Sequence, residues 1–141
     1  MKISGFATTE HMDWAGHVCR VTAFSDCIDR HNAQGCEQPT SIKLLAHHDR
    51  HRRYPIGRID KLEVRTGDDG VRGIWLEGEV FEDNRHQTAA ELVAVLEAGL
   101  TLSFSVGFLP IDYHFDEDTD LLIITKAKLL EVSAVVEPCN P

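Results

Sequence analysis

The sequence predicts a mainly β protein whose strands form a closed or nearly closed β-barrel, with a few helices packed around it. Three observations favour this fold. Apolar and polar residues alternate along several segments, which is typical of strands with one buried face. The polar segment Thr66–Gly70 joins two such runs and is rich in residues that tolerate positive φ, as a β-hairpin requires. Clear helical features occur in one segment only.

The alternating segments have lengths that suit strands and are separated by polar turns. The predicted strands are Lys2–Thr9, His17–Phe24, Ser41–Ala46, Gly57–Arg65, Val71–Glu82, Thr101–Phe115 and Leu121–Val136.

Two segments are predicted to be helical. Ser25–Ala33 has the length for one or two helical turns, with Ser25 or Asp26 as the cap. The clearer helix runs from Thr88 to Ala98, because Thr88–Glu91 has the form of a capping box. Gly99 then provides a natural end to this helix.

Size and composition are those of one globular domain spanning residues 1–141. The 23 acidic and 14 basic residues give a net charge of −9, which repels a phosphate backbone and argues against nucleic-acid binding. No apolar run approaches the ~18–20 residues of a membrane-spanning helix, and the N-terminus lacks the apolar core of a signal peptide. We therefore expect no membrane association, and a cytoplasmic location by default.

The cysteines and a cluster of histidines are further groups that could carry chemistry. Cys19, Cys27, Cys36 and Cys139 form no C-x-x-C zinc motif, and we interpret all four as structural or incidental. The histidines at 47, 48 and 51 do not match a known zinc signature, so a loop without metal is the favoured interpretation. We expect neither a metal nor a cofactor.

The predicted strand Thr101–Phe115 offers a candidate nucleophile. Alternation places Ser103, Ser105 and Gly107 on one face and apolar residues on the other. A serine fixed on a rigid strand has its hydroxyl well aimed for nucleophilic attack. The same pattern also fits serines that are simply solvated, and from this feature alone that interpretation is favoured.

Two further residues could assist such a serine. Glu131 interrupts an apolar run, where a carboxylate is costly unless it is paired. It could orient a histidine, but it could equally face solvent or pair with Lys128. His48 could act as a base, since histidine exchanges its proton near neutral pH. Sequence separation does not establish that the three residues meet.

These segments resemble the prohead serine proteases of tailed bacteriophages, in the order and spacing of several short motifs. The motifs are Ser4–Ala7, His48-Asp49, Pro55–Arg58, Ser105–Phe108, Leu129–Ser133 and Pro138–Pro141. The family is similar in fold to the herpesvirus assemblins, which are β-barrels ringed by helices. The resemblance implies Ser105 as nucleophile, His48 as general base and Glu131 as the acid that orients it. It also implies Arg58 and Gly107 as candidates for substrate or oxyanion contacts.

The resemblance implies a biological setting as well. The expected substrates are the scaffold segment of the major capsid protein and other prohead proteins, with self-cleavage included. The expected location is the assembling prohead in the host cytoplasm, and a homodimer or higher self-association is expected by analogy. Two other interpretations remain. One is a catalytically silent capsid-assembly or scaffolding protein on the same barrel, and the other is a metal-binding domain that uses His47, His48 and His51.

Overall fold

A computed structural model describes residues 1–13, 15–49 and 54–136. The strands in this part of the chain are β1 (Lys2–Thr9), β2 (His17–Cys19), β3 (Lys43–Ala46), β4 (Gly57–Thr66), β5 (Arg72–Val80), β6 (Ser103–Asp116) and β7 (Leu121–Val135). The helices are α1 (Ser25–Gln34) and α2 (Gln87–Glu97), and a short 3₁₀ helix spans Val21–Phe24.

All seven described strands belong to one sheet, and the long strand β7 organises it. Along one edge, β7 pairs in parallel first with β2 and then with β3, which lie end to end. Along its other edge it pairs antiparallel with β6 over nearly its whole length. The sheet continues from β3 through β4 and β5 to β1, all antiparallel. Residues 131–134 of β7 therefore lie between β3 and β6.

The sheet is strongly curled into a half-barrel. Its two outer strands, β1 and β6, approach each other. A Cβ atom added to Gly5 of β1 would lie only 3.1 Å from the ring of Phe104 on β6. The strand content is 48% and the helix content 19%, which makes the protein mainly β. The predicted fold class is thereby confirmed.

Both helices contribute buried residues to the core. Phe24 and Ile28 are buried at the start of α1, and the Phe24 ring meets Phe108 edge to face. Ala89 and Leu92 are the buried residues of α2. Together with apolar residues of the strands they form the core. Neither helix in the described ranges is long and apolar enough to cross a membrane.

Three sequence predictions of local structure were wrong. The predicted caps of the first helix, Ser25 and Asp26, lie inside α1, whose N-cap is Phe24 and has no side-chain cap hydrogen bond. The predicted strand His17–Phe24 ends at Cys19, and the chain turns into the 3₁₀ helix because Val21 and Phe24 must enter the core. The predicted cap Thr88 lies inside α2, and the N-cap is His86. Its ring accepts a hydrogen bond from Ala89 N at Nδ1 and contacts Pro55 O through Nε2, so it joins the helix start to the segment before β4.

His31 is a buried polar residue that ties α1 to two strands. Its Nε2 atom donates to Ile59 O at 2.9 Å, and its Nδ1 atom accepts from Ile42 N at 3.1 Å. The side chain is almost fully buried. Both ring nitrogens are therefore used, with a ring proton on Nε2 and an acceptor at Nδ1.

We predict that His31→Leu destabilises the fold, because it leaves a buried N–H and a buried C=O without partners. Each such group costs about 1–3 kcal/mol. The free energy of unfolding in urea measures the effect. His114→Leu is the matched control, since His114 is exposed on β6. Equal stability of the two variants would contradict the structural role of His31.

Candidate active site

Pairing between β6 and β7 brings two serines, a glycine and a glutamate together on the face of the sheet that lies away from the core. Ser105 is opposite Ser133, and Gly107 is opposite Glu131. The intervening residues of β6, Phe104 and Val106, pack against the core. The alternation predicted for this strand is thereby confirmed, and it fixes which side chains share the outer face.

Glu131 is a carboxylate that is 1% exposed. Its Oε1 atom lies 2.5 Å from Nδ1 of His48, and its Oε2 atom accepts a hydrogen bond from Ser133 Oγ at 2.7 Å. Both oxygens therefore have partners, which removes most of the penalty for burying a charge. Of the two interpretations left open by the sequence, the one in which Glu131 contacts a histidine describes the structure.

Gly107 provides the space that Glu131 occupies. A Cβ atom at position 107 would lie 2.1 Å from Glu131 Oε1 and 2.8 Å from its carboxyl carbon, far inside van der Waals contact. The glycine therefore lets the carboxylate lie flat against β6. This contribution was not visible in the sequence, where Gly107 was predicted to contact the substrate or the oxyanion, and that role stays a prediction.

His48 lies in a tight turn directly after β3. His47 and His48 both have positive φ, 51° and 58°, and Asp49 N donates to Ala46 O across the turn. Two central residues of positive φ are the pattern of a type I′ turn. For residues other than glycine this conformation costs roughly 1–2 kcal/mol each. The turn is attached to β7 by two further hydrogen bonds, from His47 N to Ala134 O and from His48 N to Ser133 Oγ.

The ring of His48 lies between Glu131 and Ser105. Its Nε2 atom is 3.1 Å from Ser105 Oγ. Because a carboxylate can only accept hydrogen bonds, the ring proton belongs on Nδ1, and the lone pair of Nε2 faces the serine hydroxyl. The His48 side chain is 39% exposed. An external molecule can therefore reach the ring, whereas the carboxylate behind it is shielded.

Other predicted site residues lie outside this hydrogen-bonded chain. Ser103 is opposite Val135. It lies two residues before Ser105 on the same face of β6. Arg58 lies on β4 and forms ion pairs with Glu79 and Asp60. The sequence did not identify Ser133, although its spacing of two from Glu131 on the same strand would have placed both side chains on one face.

The alternative chemistries gain no support from the described residues. In the ranges 1–13, 15–49 and 54–136, no group of three or more His, Cys, Asp and Glu side chains could hold a metal ion. His51 and Cys139 lie outside the described residues. Cys19 is a free thiol, and burial, with lesser contributions from Asp13 and Glu10, raises its pKa to about 12. It therefore stays protonated and unreactive at neutral pH.

A second hydroxyl–imidazole–carboxylate set occurs at the other end of the sheet. His11 contacts Thr9 Oγ1 through Nδ1 and Asp69 Oδ2 through Nε2, at 2.5 and 2.6 Å. Asp69 is 54% exposed, in contrast to the buried Glu131. This set connects the β4–β5 hairpin to the end of β1, and we interpret it as a structural tether.

A buried carboxylate, an imidazole and a serine hydroxyl in this order form the constellation that serine hydrolases use on several unrelated folds. The fold and the site together define a mainly β protein whose half-barrel sheet carries a hydrogen-bonded series of serine, histidine and buried glutamate. The sequence profile of the caudovirus prohead serine proteases matches residues 3–141, and the chain belongs to this family. The resemblance noted from the sequence is thereby confirmed.

Two individual proteins illustrate the relationship. The chain is 34% identical to the prohead protease of Escherichia phage T5 over 140 residues, which cover 99% of this chain and 59% of the T5 protein. Its structure is similar to that of the capsid assembly protease of bacteriophage T4, with a TM-score of 0.71 and 13% sequence identity. That match covers 97% of this chain and 82% of the T4 chain, and it shows a shared fold.

We predict that Gly107→Ala destabilises the protein, because the new methyl group must displace the Glu131 carboxylate from its two partners. Overpacking of this kind typically costs about 1–3 kcal/mol. Chemical denaturation measures the loss. Gly67→Ala is the matched control, since a Cβ atom there meets its nearest neighbour, a side-chain oxygen of Asp69, at 3.2 Å. A Gly107→Ala variant as stable as the control would show that the carboxylate is not confined as described.

Proposed function

We propose that this protein is a serine endopeptidase in which Ser105 is the nucleophile, His48 the general base and Glu131 the residue that orients His48. The observation that carries the proposal is the position of the His48 ring, with Nδ1 at 2.5 Å from Glu131 and Nε2 at 3.1 Å from Ser105 Oγ. Membership of a family of serine proteases supports the same chemistry.

The reaction proposed is acyl transfer in two stages. Ser105 Oγ attacks the carbonyl carbon of the scissile peptide while its proton passes to His48 Nε2. The imidazolium then gives this proton to the leaving nitrogen, the C–N bond breaks, and an ester joins the substrate to Ser105. In the second stage His48 takes a proton from a water molecule, whose oxygen attacks the ester. The carboxylate product leaves and the proton returns to Ser105.

Glu131 contributes charge and orientation in both stages. Its carboxylate fixes the ring proton on Nδ1 and stabilises the imidazolium that forms each time Nε2 takes up a proton. Because it is almost completely buried, water screens this interaction only weakly. We propose that the proton on Nδ1 stays with His48 and is not passed to Glu131.

The oxyanion of each tetrahedral intermediate needs N–H donors close to Ser105. The candidates are the backbone at Gly107, two residues along the same strand, and the guanidinium of Arg58. Arg58 already pairs with Glu79 and Asp60. It would have to exchange these partners for the oxyanion, so we favour backbone donors on β6.

The proposed substrates are proteins of the assembling capsid. The relatives are named as a prohead protease and a capsid assembly protease. By this relationship we propose that the chain cleaves the scaffold segment of the major capsid protein and other prohead proteins, itself included, inside the prohead in the host cytoplasm. We further propose that it self-associates. The net charge of −9 supports a partner that is protein and not nucleic acid.

We predict that Ser105→Ala abolishes cleavage of the co-expressed major capsid protein, whereas Ser103→Ala retains it. Loss of a triad serine typically lowers the rate by about 10⁴-fold or more. Ser103 is the matched control because it lies on the same strand, two residues away. Gel analysis of the capsid protein gives the rates, and a fluorophosphonate followed by peptide mapping identifies the labelled serine.

Two outcomes would contradict the proposal. Equal loss of cleavage in the Ser103→Ala and Ser105→Ala variants would remove the assignment of the nucleophile. A folded wild-type protein that neither cleaves nor reacts with the fluorophosphonate would favour the catalytically silent assembly protein on the same barrel.

A further inference from the structure

We propose that Ser133 is a positioning residue, whose single hydroxyl holds Glu131 and the turn of His48 in one fixed arrangement. The inference rests on the proposed function, since it concerns the residues assigned there to catalysis. Ser133 is absent from the chemistry itself, because its hydroxyl contacts neither Ser105 Oγ nor the ring of His48 among the described hydrogen bonds.

The Ser133 hydroxyl makes two contacts of opposite kind. It donates its proton to Glu131 Oε2 at 2.7 Å and accepts a hydrogen bond from His48 N at 3.0 Å. The residue is completely buried, so water cannot replace either contact. Because the only O–H proton is given to the carboxylate, the oxygen is left as an acceptor for the backbone of His48.

These two contacts control different parts of the site. The bond to Oε2 fixes the rotation of the carboxylate, so that Oε1 faces Nδ1 of His48. The bond to His48 N anchors the turn in which His47 and His48 both have positive φ. A turn of this cost persists only when its surroundings hold it. Among the backbone hydrogen bonds described for this turn, the bond to Ser133 is made to a side chain, so a substitution can remove it.

The position of Ser133 in the sheet makes it a rigid support. It lies on β7 between Leu45 of β3 on one side and Ser105 of β6 on the other. The strand that leads into the His48 turn and the strand that carries Ser105 are therefore both paired to the residue that fixes Glu131. A displacement of about 1 Å at such a site can cost about 10²-fold in rate.

The experiment compares the wild-type protein with Ser133→Ala, Ser133→Cys and Ser133→Thr. The alanine removes both contacts, the cysteine nearly preserves volume but is a poor donor and acceptor, and the threonine keeps the hydroxyl. Ser41→Ala is the matched control, because Ser41 is also buried and its hydroxyl donates to Gly35 O, outside the proposed site. Thermal unfolding establishes which variants are folded.

Two readouts are measured on these proteins. The first is the proton NMR signal of the His48 Nδ1–H group, recorded in an otherwise identical Ser105→Ala background so that it does not depend on activity. The second is kcat and KM for a capsid-protein peptide, together with the rate of phosphonylation of Ser105 by a fluorophosphonate.

We expect Ser133→Ala and Ser133→Cys to lose the Nδ1–H signal and to lower kcat by about 10²-fold with little change in KM. Ser133→Thr should restore both readouts in part, and Ser41→Ala should change neither. A folded alanine or cysteine variant that keeps the signal and the kcat of the wild type would overturn the inference.

Failure of the proposed function has a different signature. In that case the wild-type protein is not phosphonylated at Ser105. The Nδ1–H signal of His48 still tests the role of Ser133, because it is recorded in the Ser105→Ala background. Loss of the Nδ1–H signal in the cysteine variant supports positioning, and retention of the signal contradicts it.

Discussion

The site depends on one buried negative charge, the carboxylate of Glu131. A carboxylate that is 1% exposed is stable only when its oxygens are hydrogen-bonded. Two residues supply these hydrogen bonds, and a third leaves the space that the carboxylate needs. The ring of His48 and the hydroxyl of Ser133 each contact one oxygen, and Gly107 lacks the Cβ atom that would occupy the same space. The geometry of the proposed triad follows from satisfying this charge.

The sheet explains how such a cluster is assembled from distant parts of the chain. The same segment of β7 pairs with β3 on one side and with β6 on the other. Glu131 and Ser133 therefore lie between the strand that leads into the His48 turn and the strand that carries Ser105. The apolar side chains of β6 that pack against the core anchor this strand, with Ser105 on its other face. The His48 side chain is 39% exposed, so an external peptide can approach the site from the side of its ring.

The sequence predicted the elements better than it predicted their junctions. Alternation identified the two long strands and the face that carries Ser105, because the period of two reports directly on burial. It did not detect the left-handed turn at His47 and His48, since neither residue signals positive φ as a glycine would. Nor did it place Glu131 beside His48, because residues 83 positions apart meet only through the register of β3 on β7. The family resemblance supplied that pairing.

The role of the Glu131 carboxylate is tested most directly by the rate of Ser105 phosphonylation by a fluorophosphonate in Glu131→Gln, with Glu97→Gln as the matched control for loss of an exposed carboxylate. Glutamine removes the charge, and whichever way its amide is turned, either His48 faces an N–H group or Ser133 loses the acceptor for its proton. We expect a folded protein whose rate is about 10⁴-fold lower than that of the control. A folded Glu131→Gln variant that reacts as fast as the control would contradict this expectation.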